Sequence, residues 1–346
     1  MTPLTQPLGA EQSGWWPVAL APTPSANASA TDLQRPEAVQ LLRRDLALWF
    51  TAAAPDTLQP VLMPDQCPHR GARLSLGQVA ADAAGASVLQ CGYHGWRFNN
   101  QGQCVQVPAS PSLTPPTTFG VACLGVRMAH GLVWANLAGD SAPTPFDIPE
   151  LTDLPSRRLI YGPFDVATSA PRAVENFLDT AHFAYVHEGW LGDAEHPEVP
   201  AYDVTHTADG RPCIEQYQAW QPRGSASSSG GEWVNYRYEV LSPYSALLIK
   251  QGQTEAPQDA YVIWACPTND TSCRLWFAHY TGDTTSTDEA LRDFQVTIFS
   301  QDQPILESQR PAQLPVGGGE AMAPSDKLSL AYRRYLRGAG VACGIC

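Results

Sequence analysis

The sequence predicts an α+β protein in which a small all-β domain precedes a larger domain of strands and helices. The chain has 27 Gly and 31 Pro among 346 residues, a content that suits a turn-rich β protein better than a helix bundle. Short apolar runs alternate with turn residues between about 45 and 140, whereas longer helical patterns begin only after residue 170. These observations place the β domain first.

Three apolar runs, at residues 46–50, 87–90 and 131–136, typify the strands of the first domain. A stretch rich in Pro, Gly and Asp at 139–157 then interrupts the pattern. Because such linkers commonly separate folding units, we place the domain boundary there. The predicted domains are residues 1–145 and 146–346.

The second domain begins with a helix predicted over 173–186, a segment that contains no Gly or Pro. Further helices are expected at 287–299 and 325–336, with Asp288, Glu289 and Asp326 near their N-termini, where negative charge is favourable. Between the helices predicted at 173–186 and 287–299, strands are expected at 233–241, 246–250, 260–265 and 274–280.

The composition limits the classes of function. Hydrophobic residues make up 44% of the chain and charged residues 16%, as in a globular protein with a large core. The net charge of −13 disfavours binding to nucleic acid. No apolar run reaches the ~18 residues that span a bilayer, and no secretory signal is evident at the N-terminus. We therefore expect a soluble, cytoplasmic protein without a nucleic-acid or membrane partner.

Two of the nine cysteines lie in short motifs that also contain histidine. Cys67 and His69 form C-x-H, and Cys91 and His94 form C-x2-H after 21 intervening residues. A zinc site is the alternative, but zinc fingers usually pair Cys with Cys and His with His. The mixed pairs instead suit a Rieske [2Fe–2S] cluster, which has two thiolates on one iron and two imidazoles on the other.

A second group of polar residues lies on the predicted helix 173–186. His182 and His187 are five positions apart, so a regular helix would not place them on one face. The second histidine must therefore lie at or past the helix end, or on a distorted turn. Two imidazoles and one carboxylate form the facial triad of non-haem Fe(II) oxygenases. The alternative for two such histidines is a satisfied polar pair.

The carboxylate of such a triad must come from another segment. Asp302 is the best candidate, because it follows a predicted helix in an apolar context where an unpaired carboxylate would be costly. Glu307 is the second choice. Asp179, three residues before His182, is expected to face the same side of the helix and to accept a hydrogen bond from a metal-bound imidazole.

Taken together, these residues resemble the catalytic α subunit of Rieske non-haem iron oxygenases. The similarity runs from Trp15 through both Cys/His motifs and the N-x2-D-x2-H-x4-H segment at 176–187, and on to 301–309 and 326–336. The chain length and C-terminal pattern look most like the monooxygenase and demethylase branch, which includes vanillate, dicamba and methylxanthine demethylases.

The resemblance implies a Rieske [2Fe–2S] domain followed by a catalytic domain of the helix-grip (START-type) fold, with an antiparallel sheet and helices. It implies one mononuclear Fe(II), O2 as co-substrate, and electrons from an NAD(P)H-dependent reductase, directly or through a ferredoxin. It also implies a homotrimer in which Asp179 bridges His94 of one subunit and His182 of the next. Asn176 would take a supporting role near the iron.

The implied function is an oxygenase component that hydroxylates or oxidatively demethylates a small aromatic or heterocyclic compound. Two alternatives stay open at this point. One is a ring cis-dihydroxylating dioxygenase, and the other is a Rieske electron-transfer protein without catalysis of its own. The second alternative needs only the first ~140 residues, so the second polar group argues against it.

Overall fold

The computed structural model describes residues 9–22, 35–54, 57–139, 148–155, 157–223, 230–252 and 258–346. The chain divides into two compact units, one of residues 12–146 and one of residues 1–11 with 147–346. Residues 140–147, within the proposed domain boundary, lie outside the described residues.

Short antiparallel strands form the described part of the first unit. They make three sheets, with the orders β1-β10-β9, β2-β3-β4 and β5-β6-β7-β8. The strands are β1 (Trp16–Leu20), β2 (Glu37–Leu41), β3 (Arg44–Ala54), β4 (Thr57–Pro64), β5 (Gln78–Ala81), β6 (Ser87–Gln90), β7 (Arg97–Phe98), β8 (Cys104–Gln106), β9 (Gly125–Ala129) and β10 (Leu132–Asn136).

The core of this unit forms where alternate side chains of β3 and β4 face the same side. Trp49 and Met63 are fully buried there, together with Phe98 of β7. Cys67 and Cys91 belong to the same core cluster, so the two Cys/His motifs start from a rigid apolar base.

A large antiparallel sheet dominates the second unit. Among the described residues its order is β11-β17-β16-β15-β14-β13-β12. The strands are β11 (Arg157–Val166), β12 (Thr205–His206), β13 (Pro212–Gln221), β14 (Glu232–Ser242), β15 (Ser245–Gly252), β16 (Asp259–Asn269) and β17 (Ser272–Thr281). The helices are α1 (Ala170–Leu178), α2 (Phe183–Val186), α3 (Asp288–Ser308) and α4 (Lys327–Gly338).

Helices cover this sheet: α1 packs on β15, β16 and β17, α3 packs on β11, and α4 packs on β13. The predicted α+β class, with a small β domain followed by an antiparallel sheet with helices, is confirmed.

The prediction of one continuous helix over 173–186 is wrong. α1 ends at Leu178, and Asp179 adopts an extended backbone conformation. The Asp179 carboxylate accepts the backbone N–H of Ala181 at 2.7 Å, a local bond that competes with helix continuation. The chain resumes a helix only for the single turn of α2.

The helix predicted to end at residue 299 is longer than expected. α3 continues through Pro304 to Ser308, so Asp302 lies inside the helix rather than after it. Proline cannot donate to the carbonyl of Ser300. Both Ser300 and Pro304 are exposed, so that carbonyl lies on the solvent side of the helix, where water can satisfy it.

The structure places residues 9–11 with the second unit, whereas the sequence analysis assigns them to the first domain. The N–H of Ala10 donates to the carbonyl of Gly340 at 3.1 Å. The buried carboxylate of Glu11 accepts backbone N–H groups of Ala342 and Cys343. These long-range bonds could not be inferred from local sequence.

A buried ion-pair cluster joins α1 to α4. Arg333 on α4 binds both oxygens of Glu175 on α1, at 2.6 and 2.7 Å. Glu320 bridges Arg333, at 2.6 Å, to Arg172, at 2.7 Å. Burial raises the pKa of Glu175 even though Arg333 opposes that rise. The cluster therefore fixes the last turns of α1 only while both charges are present.

Replacing Arg333 by Leu should lower the free energy of unfolding by about 3–5 kcal/mol, because it leaves a buried carboxylate uncompensated. The stability difference between the Arg333→Leu variant and the wild type should shrink as the pH falls, since Glu175 then takes up a proton in the folded variant. Urea unfolding measures both effects. Arg334→Leu, on the exposed face of the same helix, is the control. A loss below about 1 kcal/mol for Arg333→Leu would contradict this account.

Candidate functional site

Two histidines flank the single turn of α2. His182 immediately precedes Phe183, and His187 immediately follows Val186. The sequence analysis places the second histidine at or past a helix end, and the structure has it at the end of α2. Because the chain turns sharply after α1, the two imidazoles converge with Asp302 of α3.

Three ligand-type atoms of these residues form a nearly regular triangle. His182 Nε2 lies 3.2 Å from His187 Nε2. Asp302 Oδ1 lies 3.5 Å from the first nitrogen and 3.3 Å from the second. An ion about 2 Å from each atom would lie just outside the plane of this triangle. Its coordination positions on the side away from the three atoms would be open. The arrangement therefore fits one metal ion with free coordination positions.

The other ring nitrogens have acceptors that orient them. His182 Nδ1 lies 3.3 Å from Asp179 Oδ2, and His187 Nδ1 lies 2.8 Å from Gln301 Oε1. Both acceptors favour the tautomer with a proton on Nδ1, which leaves the Nε2 lone pair directed at the triangle. Asp179 thus contacts His182 as expected, although the two residues do not share a helix.

The pKa of Asp179 and that of His182 are shifted by each other. Burial alone would raise the pKa of Asp179, but the hydrogen bond and charge of His182 outweigh it and lower the pKa. Burial lowers the pKa of His182, and the Asp179 bond more than reverses that. The carboxylate therefore stays ionised as a hydrogen-bond acceptor.

Asn176 and Gln301 complete the surroundings of the triangle. Asn176 Nδ2 donates to Asp302 Oδ1 at 3.4 Å, a long bond that suits a supporting role. Sequence reasoning assigned no role to Gln301, although this residue opens the 301–309 segment that carries the family resemblance. Glu307, the second choice for the carboxylate, instead bonds to the N–H of Ala167 and to Gln303. The structure does not bring it to the histidines.

A pocket of about 730 Å³ of empty volume, including its mouth, opens onto the triangle. The wall is largely aromatic and aliphatic. The lining residues other than the triangle are Ala173, Asn176, Phe177, Phe183, Leu191, Tyr236, Tyr238, Leu248, Lys250, Tyr261, Ile263, Phe277, Phe294, Gln295, Ile298 and Phe299.

The two Cys/His motifs of the first unit form loops with the same backbone hydrogen bonds. The N–H of Cys67 donates to the carbonyl five residues later, and so does that of Cys91. Gly71 and Gly95 donate back to these cysteines' carbonyls at 2.9 and 3.1 Å. Both glycines have positive φ, +72° and +70°, which a residue with Cβ rarely adopts. Two matched tight turns thus present the four side chains.

The side chains of these loops fit a [2Fe–2S] cluster. Cys67 and Cys91 are buried and adjacent, and burial raises the pKa of the Cys67 thiol to about 11, with Cys91 adding to it. The rings of His69 and His94 are 4.6 Å apart, nearer to solvent. His69 Nδ1 is buried without a hydrogen-bond partner among the described residues, as expected of a nitrogen that ligates iron. None of the nine cysteines forms a disulfide.

None of the described helices combines the length and the apolar character needed to cross a bilayer.

A paired-loop site that fits a cluster on a small β domain, and a two-histidine, one-carboxylate group beside an apolar pocket, are the features expected of a two-centre iron oxygenase. The family comparisons agree with this class. The Rieske [2Fe–2S] domain matches residues 23–122, and the vanillate O-demethylase oxygenase C-terminal domain matches residues 166–342. The second match covers more than half of the chain. The protein belongs to the Rieske oxygenases with this catalytic domain.

Similar proteins include demethylases of nitrogen heterocycles. Methylxanthine N3-demethylase NdmB of Pseudomonas putida is 31% identical over 281 residues, 78% of this chain and 75% of the relative. Methylxanthine N1-demethylase NdmA of the same species is 29% identical over 305 residues, 87% and 82% of the two chains. The structure of NdmA with caffeine has a TM-score of 0.78 at 26% identity, covering 95% of this chain and 90% of that chain.

The chain is therefore a Rieske-type non-haem iron oxygenase. It uses a [2Fe–2S] cluster, mononuclear iron and O2 to hydroxylate or oxidatively demethylate a small aromatic or heterocyclic molecule. Its electrons come from NAD(P)H through a reductase or ferredoxin partner. The match to a catalytic domain rules out an electron carrier without catalysis of its own.

Replacing Gln301 by Leu should weaken mononuclear iron binding by about 10–100-fold, because His187 loses the acceptor that fixes its tautomer. Iron retention during titration with a chelator measures this, while the visible absorption of the cluster reports the first domain. Ser300→Ala is the matched control, since Ser300 is exposed and its hydroxyl bonds only within the helix. Equal retention by both variants would refute the role of Gln301.

Proposed function

We propose that this enzyme is an oxidative demethylase of a small, flat aromatic or heterocyclic compound with a methyl group on oxygen or nitrogen. The triangle of His182, His187 and Asp302 beneath a largely aromatic pocket carries the proposal. The similarity to methylxanthine N-demethylases favours demethylation over cis-dihydroxylation.

Each centre has a defined set of ligands in this proposal. His182, His187 and Asp302 bind the mononuclear Fe(II), and Cys67, His69, Cys91 and His94 bind the [2Fe–2S] cluster. When bound, the iron supplies the activation of O2 at its open positions. The residues of the chain supply position and orientation, and the electrons come from the partner reductase.

The surrounding side chains keep the ligands in their reactive arrangement. Asp179 and Gln301 hold the protons on the Nδ1 atoms, so that both Nε2 atoms remain ligands. Asn176 restrains the Asp302 carboxylate. The apolar wall excludes bulk water from the reacting methyl group and holds a flat ring over the triangle.

The reaction replaces a methyl C–H by C–OH and then releases formaldehyde. For a methyl on nitrogen or oxygen, the hydroxylated product is a carbinolamine or hemiacetal, which breaks down without further oxidation. One oxygen atom of O2 enters the methyl group and the other leaves as water, with two electrons and two protons supplied. The reductase provides these electrons from NAD(P)H, which favours the cytoplasm as the location.

The proposal includes a homotrimer in which electrons cross between subunits. Asp179 lies against His182 in this chain and accepts a hydrogen bond from it. In the trimer, the same carboxylate would also accept from His94 of the next subunit, completing a bonded route between the two iron centres. Such a route needs an ionised Asp179, in line with its lowered pKa.

Product analysis tests the demethylase proposal. The iron-loaded enzyme, a generic reductase, NADH and O2 are incubated with methylated and unmethylated aromatics and heterocycles. Formaldehyde matched to the loss of one methyl group is the expected result. A gain of one oxygen without formaldehyde would make the enzyme a hydroxylase, and a gain of two oxygens and two hydrogens would make it a dihydroxylating dioxygenase.

Replacing Asp179 by Asn should leave both metals bound but lower the product formed per oxidised cluster about tenfold or more. The amide oxygen can still accept from Ala181, as Oδ1 does in the wild type, whereas the amide nitrogen replaces the Oδ2 that accepts from His182, so the change removes both the charge and the bridging acceptor. Single-turnover assays with metal analysis measure it. Asp193→Asn is the control, because Asp193 and His196 form an exposed pair with the same spacing. Normal turnover by Asp179→Asn would contradict the bridging role.

A further inference from the structure

Four tyrosine rings form a row beside the catalytic pocket. Tyr238 and Tyr236 lie on β14, with ring centroids 5.7 Å apart and planes inclined by only 19°. Tyr236 lies 6.2 Å from Tyr217 on β13, and Tyr217 lies 5.8 Å from Tyr202, again between ring centroids. Each spacing is within the range of direct aromatic contact. These four residues are called the tyrosine row below.

The tyrosine row connects the iron site with a cavity that is open to solvent. Tyr236 and Tyr238 line the pocket beside the iron triangle. Tyr217 lines a second cavity, whose wall also includes Trp233 with 43% of its surface exposed. Phe183 belongs to the walls of both cavities. Small soluble molecules can therefore reach the row at Tyr217 without entering the catalytic pocket.

Packing alone does not account for tyrosine at these positions. All four residues are buried, with at most 7% of their surface exposed, and phenylalanine would fill the same space without a hydroxyl to satisfy. Three of the hydroxyls have partners. They are the Ser325 carbonyl for Tyr202, the Thr180 side chain for Tyr217 and the Gln221 amide for Tyr236. The Tyr238 hydroxyl is buried without a partner among the described residues.

The charge of Asp179 acts on three rings of the row. Burial raises the pKa of Tyr202, Tyr217 and Tyr238, and the negative charge of Asp179 adds to each rise. The negative potential that holds the proton on these phenols also stabilises positive charge on their rings. An electron is therefore removed more easily from these tyrosines than from a buried phenol without such a neighbour.

The composition of the pocket wall directs oxidation to tyrosine. Among the described lining residues there is no Cys, Met or Trp, so the phenols of Tyr236, Tyr238 and Tyr261 are the side chains most easily oxidised. Tyr261 stacks on His279, whereas the other two belong to the tyrosine row. An oxygenase forms a strong oxidant at its iron, and its site must limit competing reactions of that oxidant.

We propose that the tyrosine row carries oxidising equivalents from the iron site to the protein surface when O2 is activated without a substrate to attack. The row is then a protective electron-transfer route, separate from the route that brings electrons to the iron. The proposal applies whether the enzyme demethylates or hydroxylates its substrate, so it does not rest on demethylation.

Each step along the row moves one electron and one proton. A phenol gives its electron to the oxidant, or to a neighbouring oxidised ring, and its proton shifts to a partner of the hydroxyl. With hydrogen peroxide as the source of the oxidant, two electrons and two protons complete its reduction to two waters. Two molecules of a soluble thiol each return a hydrogen atom to Tyr217 and then join as a disulfide, which restores the row.

Peroxide pulses on the fully metal-loaded enzyme, without reductase or substrate, test the row. Rapid-freeze electron paramagnetic resonance should detect a tyrosyl radical in the wild type, and peptide mass spectrometry should find little oxidation in the pocket wall. Tyr217→Phe keeps the ring packing but interrupts the row. Its radical signal should fall, and oxidation of the peptides that contain Phe183 and Tyr236 should rise severalfold, because the oxidant is no longer quenched from outside.

Two further variants are the controls. Tyr244→Phe should behave as the wild type, because Tyr244 is equally buried but belongs neither to the row nor to the pocket wall. Asp302→Ala should keep the cluster without mononuclear iron and should give no tyrosyl radical. A radical of wild-type intensity in Asp302→Ala would assign the oxidant to the cluster and overturn the proposal.

The thiol requirement gives a second measurement. Glutathione should slow the peroxide-driven loss of mononuclear iron severalfold in the wild type but not in Tyr217→Phe. If Tyr217→Phe does not fold, Tyr236→Phe interrupts the row one ring earlier and should show the same rise in Phe183 oxidation. The absence of a tyrosyl radical in the wild type, equal pocket oxidation in wild type and variant, or equal protection by glutathione would overturn the proposal.

Discussion

The early end of α1 is the constraint on which the active site depends. Five residues separate His182 from His187, and a continuous helix would direct their imidazoles about 140° apart. The Asp179 carboxylate binds the Ala181 N–H just where the helix stops, and the chain then forms only one more turn. That turn brings both Nε2 atoms within 3.5 Å of Asp302 Oδ1. Asp179 thus shapes the backbone and orients His182 with the same carboxylate.

Distant contacts hold this local geometry in place. The Glu175–Arg333 pair fixes the α1 turn that precedes Asn176, and α3 supplies Asp302, Gln301 and Gln295 from one long helix. Because the same helix carries Asp302, the proposed iron ligand, and part of the pocket wall, a shift of α3 would move both together. The sheet provides the opposite wall, where Lys250 and Tyr236 are cross-strand neighbours. Most of the pocket wall therefore belongs to helices and strands, which favours precise positioning of a substrate.

Much of this enzyme could be predicted from sequence, because Cys/His spacing and apolar runs are each typical of one kind of structure. Mixed Cys/His spacing indicates the cluster, and alternating apolar runs indicate strands such as β6 and β10. The break after Leu178 was not predictable, because Ala173–Val186 contains neither Gly nor Pro and the competing bond comes from a side chain. The extension of α3 past Pro304 was missed because proline usually ends a helix, and only its exposure makes it tolerable. Gln301 and Gln295 have ordinary helical positions in the sequence, and only tertiary packing gives them partners or a pocket.

Iron stoichiometry tests the central claim most directly. The wild type should bind about three irons per chain, two in the cluster and one in the mononuclear site. Asp302→Ala should bind about two, with the visible absorption of the cluster unchanged, because the triangle loses one of its three ligand atoms while the first domain is untouched. Three irons in the Asp302→Ala protein, or loss of the cluster absorption, would contradict the assignment of the mononuclear site to His182, His187 and Asp302.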